Sequence, residues 1–398
     1  MGNLRKQITI EAQRQRFLGI ENKSYFNFGG QGPLPKAALD QIVDTHQYIQ
    51  ATGPFSVQVN SWLQAKTVLL RKAIAQELKT TPDRITLTEN VTAGCNIAFW
   101  GRNWQAGEVI LMSDCEHPGI IATVREIARR FGVLVEVFPL LETLNQGDPI
   151  EIIRQHLTPQ TRLVVLSHLL WNTGQVLPLT EIVTACHEYP QAQQQIRVLV
   201  DAAQSVGCLD LDLPATGVDY YAFTGHKWLC GPAGVGGLYV SADAFAELHP
   251  TFIGWRGVDT DSQGQPESWK PDGQRFEVAT SAYSEYQGLA TAIAIHQEWG
   301  TPGTRYQRIR QLSQYLWFSL SQIDGVECLK KSPPEAGLVS FKLSGKDHTS
   351  LVNQLEKQGF FLRTISYPSC VRACVHYLSL TQEIDSLVAA ISLAMSQS

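Results

Sequence analysis

An aspartate and a lysine follow two apolar runs in the middle of the chain. Asp201 ends the mostly β-branched stretch 196–200, and Lys227 lies shortly after the apolar residues 220–223. Continuous apolar runs of this length are typical of parallel strands buried on both faces, and open α/β sheets bind ligands at the carboxyl ends of their strands. An amine and a carboxylate at that edge suit a pyridoxal phosphate (PLP) site. There the lysine forms a Schiff base, and the aspartate keeps the pyridine nitrogen protonated so that the ring can accept electrons.

Three motifs extend this pattern: Asp-Ala-Ala-Gln-Ser at 201–205, Thr-Gly-His-Lys-Trp at 224–228 and Gly-Pro-Ala-Gly-Val-Gly-Gly at 231–237. Together they resemble the class V aminotransferases of PLP fold type I, a group that contains cysteine desulfurases and cyst(e)ine C–S lyases. The resemblance implies an α/β fold with a mostly parallel seven-stranded sheet in a large domain and a smaller α+β C-terminal domain. It also implies that Lys227 bonds the cofactor and later acts as the general base at Cα.

The resemblance places further residues beside the cofactor ring. His117, in Cys-Glu-His-Pro, is expected to stack on the ring with a catalytic role; the alternative is that it only begins a helix. Gln204 is expected to donate a hydrogen bond to the phenolic oxygen. Residues 167–174 resemble the stretch that supplies an asparagine beside the ring, but alignment without gaps puts Trp171 there instead of Asn172.

The cofactor phosphate requires a helix N-terminus, where free N–H groups and the helix dipole favour an anion. Thr92 and Ala93 follow a predicted strand and a turn rich in capping residues, and they match the family's phosphate-binding pair; the alternative is a plain N-cap. Thr224 and His226 match further phosphate-binding positions. Thr280 ends a segment that resembles Arg-Phe-Glu-x-Gly-Thr, whose threonine reaches the phosphate of the neighbouring subunit. The resemblance therefore implies a homodimer with shared active sites.

Two arginines near the C-terminus are candidates for binding the substrate. Arg372, in Arg-Ala-Cys, resembles the arginine that grips the substrate α-carboxylate, a task that suits a planar, bidentate guanidinium. Arg363 occupies the family's Arg-Thr position, and the pair suits a substrate with two carboxylates, such as cystine. Desulfurases carry a long loop with a nucleophilic cysteine between these positions. Here the connection 364–371 is short and contains only Cys370.

This short connection favours β-elimination over desulfuration. Without a mobile thiolate, loss of the Cα proton leads to departure of the thiol or persulfide, and hydrolysis then yields pyruvate and ammonia. The resemblance is therefore to a cyst(e)ine C–S lyase acting on L-cystine or L-cysteine. The expected role of such an enzyme is to mobilise sulfur for iron–sulfur clusters, with an acceptor protein as its partner. The alternatives are a desulfurase that uses Cys370, an epimerase-like class V enzyme, and a non-catalytic dimeric binding protein, against which the retained Lys227, Asp201 and Arg372 argue.

The composition is that of an ordinary globular protein. The 398 residues are 44% hydrophobic, with a net charge of −5 and no basic run, so nucleic acid is not an expected partner. We expect no secretory signal, because residues 1–17 are polar and contain no apolar segment, and no membrane span, because the apolar stretch 387–395 is too short. The eight cysteines are scattered singly, which predicts reduced thiols in a cytoplasmic protein. The ten histidines show no metal-ligand spacing, so no metal is expected.

Apolar periodicity predicts alternating strands and helices, interrupted by a polar loop at 259–272. The predicted strands include 109–112, 133–138, 163–166, 338–343 and 360–363, and the predicted helices include 118–131, 282–299, 305–323 and 383–395. The resemblance divides the chain into a large PLP-binding domain, 21–283, and a small C-terminal domain, 284–398, which residues 1–20 join.

Overall fold

The computed structural model describes residues 8–396; the predicted ends of the small domain, 1–7 and 397–398, lie outside this range. The strands are β1 (Ser24–Tyr25), β2 (Ile85–Thr88), β3 (Val109–Ser113), β4 (Leu134–Phe138), β5 (Thr161–Ser167), β6 (Arg197–Asp201), β7 (Tyr220–Thr224), β8 (Gly236–Val240), β9 (Val258–Thr260), β10 (Pro266–Trp269), β11 (Val326–Cys328), β12 (Leu338–Leu343), β13 (Phe360–Phe361), β14 (Arg363–Ile365) and β15 (Cys370–Cys374). The α-helices are α1 (Ile10–Arg14), α2 (Lys36–Thr52), α3 (Val57–Glu77), α4 (Val91–Trp100), α5 (Pro118–Phe131), α6 (Pro149–His156), α7 (Leu179–His187), α8 (Leu213–Thr216), α9 (Ala242–Glu247), α10 (Tyr283–Trp299), α11 (Pro302–Ser321), α12 (His348–Lys357) and α13 (Thr381–Ser396). Short 3₁₀ helices lie at Leu18–Ile20, Pro82–Arg84, Leu140–Thr143, Trp255–Gly257 and Gly273–Phe276.

The largest sheet has seven strands in the order β2-β8-β7-β6-β5-β3-β4. Its strands run in one direction apart from β8, which pairs antiparallel with both of its neighbours. This arrangement confirms the predicted mostly parallel seven-stranded sheet. The residues of β3, β6, β7 and β8 are buried throughout, which explains why their sequences are continuous apolar runs without alternation.

The carboxyl ends of β6 and β7 lie side by side at one edge of this sheet. The two strands are parallel neighbours, and Asp201 at the end of β6 pairs with Ala222 of β7. β7 then ends at Thr224, and the turn that follows carries Lys227. The sheet therefore brings the aspartate and the lysine to the same edge, as the two apolar runs predicted.

Helix α5 has the bounds that the sequence predicts, because both of its ends are set by local signals. Nδ1 of His117 accepts a hydrogen bond from the Gly119 N–H at 3.2 Å and so caps the N-terminus. Gly132 ends the helix in the left-handed conformation, with φ of 68°, which is strained for residues with a Cβ. The helix start holds His117 at the carboxyl end of β3.

The C-terminal part has a separate antiparallel sheet in the order β11-β12-β15-β14. Helices α11, α12 and α13 contribute to its own apolar core, which includes Leu316, Leu320, Phe341, Leu355, Val371 and Leu387. The prediction of one strand at 360–363 is wrong in detail. β13 pairs in parallel with β1, whereas β14 pairs with β15, and Leu362 between them is buried in the core. The chain therefore pairs with a different strand on each side of Leu362.

The predicted loop at 259–272 is also wrong in detail, because β9 and β10 form an antiparallel hairpin there. All four residues of β10 are exposed, and β9 is at most half-buried. A two-stranded hairpin with no buried face has no reason to alternate apolar and polar residues. Periodicity could not reveal it.

The division into domains at residues 283 and 284 stays a prediction. Helix α10, which begins at this boundary, packs against α2 and α3, and its Leu289 and Ile293 belong to the same apolar core as the large sheet. Among the helices of residues 8–396, none combines the length and hydrophobicity that a membrane span requires.

Candidate active site

A cavity of about 370 Å³ opens at the carboxyl edge of β5, β6 and β7. It is lined by most of the side chains that the sequence singled out: Thr92, His117, Asp201, Gln204, Thr224, His226, Lys227, Arg363 and Arg372. Ala93 and Thr280 line a neighbouring cavity of about 900 Å³ instead, which shares Thr92 with the first. The first cavity has the size of a small-molecule site, with many convergent polar groups.

Lys227 lies in the cavity in an environment that disfavours its positive charge. The pKa of its amine is lowered to about 8, mainly by burial and to a smaller extent by the nearby Arg372 and Arg363, whereas Asp201 acts in the opposite direction. The neutral form of the amine is therefore a minority near physiological pH, but it is far more populated than in a surface lysine. The neutral amine is the form that can attack a carbonyl carbon or accept a proton.

Asp201 is buried at the end of β6. One carboxylate oxygen accepts a hydrogen bond from the Ala203 N–H at 2.9 Å. Burial raises the pKa of this carboxyl, while the bond from Ala203 and the charge of Lys227 lower it. A buried carboxylate lining a cavity stabilises a positively charged or proton-donating ligand atom beside it.

Gln204 is held in one orientation by two partners. Its Oε1 accepts the indole N–H of Trp228 at 2.9 Å, and its Nε2 donates to the Gly29 carbonyl at 2.9 Å. Because an indole N–H only donates and a carbonyl only accepts, these contacts fix which end of the amide is which. The second N–H of the amide remains for a ligand oxygen.

His117 is both the first capping residue of α5 and part of the cavity wall. Its Nδ1 accepts from the helix N-terminus, so the neutral ring carries its hydrogen on Nε2. The Trp171 ring lies edge-on to it, with centroids 5.7 Å apart and planes at 74°. Burial lowers the pKa of His117, which favours the neutral ring. His117 can therefore begin the helix and also face a ligand in the cavity. Its stacking on a cofactor stays a prediction.

The N-terminus of α4 reaches the cavity through Asn90, Val91 and Thr92. Asn90 is the N-cap, and its side-chain oxygen accepts the Ala93 N–H at 2.9 Å. The cap interpretation is therefore correct for this N–H, and the assignment of Ala93 to a phosphate stays a prediction. Asn90 was not predicted as a cavity residue, although its position before the helix is a visible capping signal.

Thr224 and His226 form a pair at the same cavity. The Thr224 hydroxyl lies 2.6 Å from Nδ1 of His226. Burial and the neighbouring Lys227 lower the pKa of His226, so its ring is neutral and acts through hydrogen bonds. Together with the helix N-terminus, these groups suit an anion such as a phosphate.

Arg363 and Arg372 lie opposite each other in the antiparallel pair β14–β15. Arg372 is buried, and its Nη1 donates to the Trp171 carbonyl at 2.8 Å, while its buried Nε has no hydrogen-bond partner among the described residues. Arg363 is exposed at the cavity mouth. The hairpin thus presents two cations to one cavity.

Asn172 and Trp171 are placed as the alignment without gaps indicated. Trp171 lines the cavity and Asn172 does not. The Asn172 side chain instead donates to the Tyr367 carbonyl at 3.2 Å, and its own carbonyl accepts from the Ser340 hydroxyl at 2.7 Å. Asn172 therefore links β5 to the C-terminal sheet.

Cys370 is buried within β15, away from the cavity. It packs with Leu329 and Ile365, and its sulfur lies 3.9 Å from the Asn172 carbonyl oxygen. Burial raises the pKa of its thiol to about 11. A nucleophilic thiol has the opposite features, namely exposure and a lowered pKa.

The sequence analysis also missed Gly29 and Gly30, which line the cavity from the N-terminal segment. A Cβ on Gly29 would lie 2.9 Å from the Gln204 side-chain oxygen and 3.1 Å from the Arg372 guanidinium carbon. The paired glycines were a visible signal of close approach by the backbone. The side chains that Gly29 approaches, Gln204 and Arg372, are however distant in the chain, so the sequence did not identify them.

The chain belongs to the aminotransferase class V family, which matches residues 25–397. The seven-stranded sheet, with a lysine and an aspartate at its carboxyl edge, matches structures of PLP fold type I.

Among solved structures, the chain is similar to C-DES, described as a cystine C–S lyase. The complex of C-DES with its reaction product cysteine persulfide is 52% identical, with a TM-score of 0.92 over 94% of this chain and 99% of that one. A lysine-to-alanine mutant of C-DES, with glycine covalently linked to the PLP cofactor, is 51% identical, with a TM-score of 0.93 over 95% of this chain and 98% of that one. Among sequence relatives, isopenicillin N epimerase of Streptomyces clavuligerus is 29% identical and covers 96% of this chain and 97% of its own length.

Proposed function

We propose that this chain is a PLP-dependent C–S lyase that cleaves L-cystine, and also L-cysteine, by β-elimination. The products are pyruvate, ammonia and a persulfide from cystine or sulfide from cysteine. The observation that carries the proposal is one cavity with Lys227, Asp201 and two arginines but none of the eight cysteines, all of which lie within the described residues and are buried. The similarity to C-DES supports cystine as the substrate.

The ring side of the cavity fits PLP. Lys227 would bond the aldehyde carbon, Asp201 would pair with the pyridine nitrogen, and the second N–H of Gln204 would serve the phenolic oxygen. His117 would cover one face of the ring. When bound, PLP withdraws electrons from the substrate Cα and so makes its hydrogen acidic.

The phosphate side fits as well. The α4 N-terminus at Thr92, together with Thr224 and His226, would hold the phosphate, because helix N–H groups and neutral polar side chains suit an anion. Ala93 would contribute to phosphate binding only if its N–H were shared between the phosphate and the Asn90 side chain. Thr280 would reach the phosphate of a neighbouring subunit, which agrees with its place outside the Lys227 cavity.

The elimination needs a base, an oriented substrate and a good leaving group. Lys227, with a pKa of about 8, accepts the Cα proton at Nζ. Arg372 binds the α-carboxylate and thereby turns the Cα–H bond toward the lysine, while Arg363 binds the second carboxylate of cystine. The Cβ–S bond breaks, and its electron pair leaves with sulfur. A persulfide is more acidic than a thiol and leaves more readily, which favours cystine.

The burial of Cys370 argues against the desulfurase alternative. A desulfurase needs a mobile thiolate to attack the substrate sulfur, but Cys370 is part of a strand and its pKa of about 11 keeps the thiol protonated. Elimination requires no thiol from the enzyme.

We also propose a homodimer with shared active sites. Phe252, Ile253 and Trp255 are between 61% and 72% exposed, and Phe252 and Thr280 line the same cavity. Exposed apolar residues grouped in this way are typical of protein interfaces.

We further propose that the persulfide or sulfide supplies sulfur for iron–sulfur cluster assembly in the cytoplasm, through an acceptor protein. The eight free, buried cysteines support a reducing compartment.

The test is to incubate the holoenzyme with L-cystine and with L-cysteine and to measure pyruvate, alanine and persulfide together. We expect pyruvate and cysteine persulfide in equal amounts from cystine, and no pyruvate from the Lys227→Ala variant. Alanine without pyruvate would indicate a desulfurase instead. A racemised amino acid without pyruvate would indicate an epimerase, the alternative that the similarity to isopenicillin N epimerase favours.

A further inference from the structure

The turn that carries Lys227, residues 225–229, belongs to no helix or strand, so its carbonyl groups need partners outside regular secondary structure. Main-chain N–H groups bond to the first three carbonyls: Gly231 N–H to Gly225 O (2.8 Å), Gly32 N–H to His226 O (2.7 Å) and Cys230 N–H to Lys227 O (3.0 Å). Gly32 has no room for a Cβ, which would lie 2.1 Å from the Lys227 carbonyl oxygen. The main chain thus satisfies the turn as far as Lys227.

Two buried histidines satisfy the last two carbonyls of the turn. Nε2 of His376 lies 3.1 Å from the Trp228 carbonyl oxygen, and Nε2 of His296 lies 2.9 Å from the Leu229 carbonyl oxygen. Both histidines are 1% exposed, and they come from distant elements, α10 and the segment after β15. A carbonyl oxygen only accepts hydrogen bonds, so each Nε2 carries a hydrogen.

The contacts of Nδ1 in each ring are consistent with a hydrogen on Nε2. Nδ1 of His376 accepts the Leu378 N–H at 3.4 Å, and Nδ1 of His296 accepts the Tyr377 hydroxyl at 2.7 Å. The Tyr377 oxygen in turn accepts from Nε2 of Gln13 at 2.9 Å. Burial lowers the pKa of both histidines, that of His376 to about 3. Both rings are therefore neutral donors at the pH at which the enzyme works.

This network lies in the buried interior of the protein. The Phe28 ring stacks on His376, with centroids 4.5 Å apart and planes at 13°. The side chain of Trp228 is itself anchored to Gln204. Buried polar groups are costly unless they are bonded, and a satisfied network specifies one conformation. Here the network meets the main chain directly after Lys227.

We propose that His376 and His296 are positioning residues for Lys227. By holding the carbonyls of Trp228 and Leu229, they set where the Lys227 amine lies in the cavity, and so the distance over which it takes the Cα proton. The inference rests on the proposed function for the cofactor and the reaction.

The test compares variants of the holoenzyme that differ in one donor. His376→Leu removes the N–H, whereas His376→Gln keeps an N–H near the place of Nε2. His187→Leu is the matched control, because His187 bonds Asp219 at the opposite edge of the sheet, at 2.9 Å. Three quantities are measured: the Tm, the pH titration of the cofactor absorption without substrate, and kcat and KM for cystine.

We expect His376→Leu to lower kcat by roughly 10- to 100-fold with KM within about threefold, because small displacements of a reacting group cost this much. The midpoint of the absorption titration should shift in the same variant, and His376→Gln should recover most of both effects. His187→Leu should change the Tm alone.

A His376→Leu protein with a lower Tm but wild-type titration and kcat would overturn the proposal. If that variant does not fold, His296→Leu decides, with His296→Gln as its matched control, since it removes the donor to the Leu229 carbonyl; unchanged titration and kcat in His296→Leu would then overturn the proposal. If the wild type releases no pyruvate from cystine, the proposed function fails, whereas the titration without substrate still tests the positioning.

Discussion

On the scale of single residues, Lys227 differs from a surface lysine through its environment. Burial lowers its pKa from 10.5 to about 8, with smaller contributions from two arginines. The neutral fraction of the amine therefore reaches about one half near pH 8 and changes little only above about pH 9. This fraction governs how fast the amine attacks an aldehyde.

The first prediction follows from that pKa. We expect the rate at which the stripped protein takes up PLP to rise with pH through the pKa of about 8 and to level off above about pH 9, because most of the Lys227 amine is then neutral. The measurement is the growth of visible absorption after PLP is added at a series of pH values. N-acetyl-lysine amide is the control, and its rate should still rise near pH 10. A protein rate that keeps rising in parallel with the control would contradict the lowered pKa.

The second prediction concerns Cys370. Cys370→Ser should keep cystine cleavage within about twofold, because elimination uses no enzyme thiol and the new hydroxyl can donate to the Asn172 carbonyl. Pyruvate release measures the effect, with cofactor content and circular dichroism as controls of loading and folding. A collapse of activity in a folded, loaded variant would favour the desulfurase.

On the scale of elements, the β14–β15 hairpin supplies both arginines of the cavity wall. Residues directly opposite in an antiparallel pair project to the same face of the sheet, and Arg363 is opposite Arg372. Arg372 is buried and is held by a further contact, to the Trp171 carbonyl, whereas Arg363 is exposed. The buried, fixed arginine suits the carboxylate that every substrate shares, and the exposed one suits a group that only some substrates have.

The third prediction separates these arginines. Arg372→Ala should lower kcat/KM for cystine and cysteine alike, whereas Arg363→Ala should lower it mainly for cystine. Loss of a charge-assisted contact costs about 1.5–3 kcal/mol, which corresponds to roughly 10- to 100-fold. Arg363→Lys is the matched control and should recover part of the loss through charge alone. Equal losses for both substrates in Arg363→Ala would refute a dedicated second-carboxylate site.

On the scale of the whole molecule, the cavity assembles segments that are far apart in the chain. Gly29 and Gly30, the α4 start, the ends of β5 to β7 and the C-terminal hairpin all reach it. Thr280 and the exposed Phe252 line the neighbouring cavity, and the exposed Ile253 and Trp255 lie close to Phe252 in the chain. A second subunit that covers this surface would bury these apolar residues and bring Thr280 to a phosphate.

The fourth prediction tests that arrangement. Phe252→Asp should convert a dimer into monomers and weaken cofactor retention, because it places a charge in the proposed interface. Phe318→Asp on α11 is the control, since Phe318 is also exposed, at 58%, but lies on the C-terminal part. Sedimentation and the absorption that survives dialysis are measured. A wild-type protein that sediments as a monomer with bound cofactor would exclude the shared site.

The sequence alone determined the features that local signals encode. Buried strands must be apolar throughout, so the runs before Asp201 and Lys227 identified neighbouring strands and the edge at which both residues lie. Capping residues set the ends of α5. The motifs identified the family, and the seven-stranded sheet agrees with it.

Only the tertiary structure decided the features that depend on contacts between distant residues. No local pattern indicates that Asn172 donates a hydrogen bond to the Tyr367 carbonyl, that Cys370 is a buried strand residue, or that His376 donates to the Trp228 carbonyl. Local sequence determines which backbone conformation is favourable, but the partner of a buried polar group is determined by the packing of whole elements. Lys227 and the strand before it could therefore be predicted, whereas the groups that bond the turn around Lys227 could not.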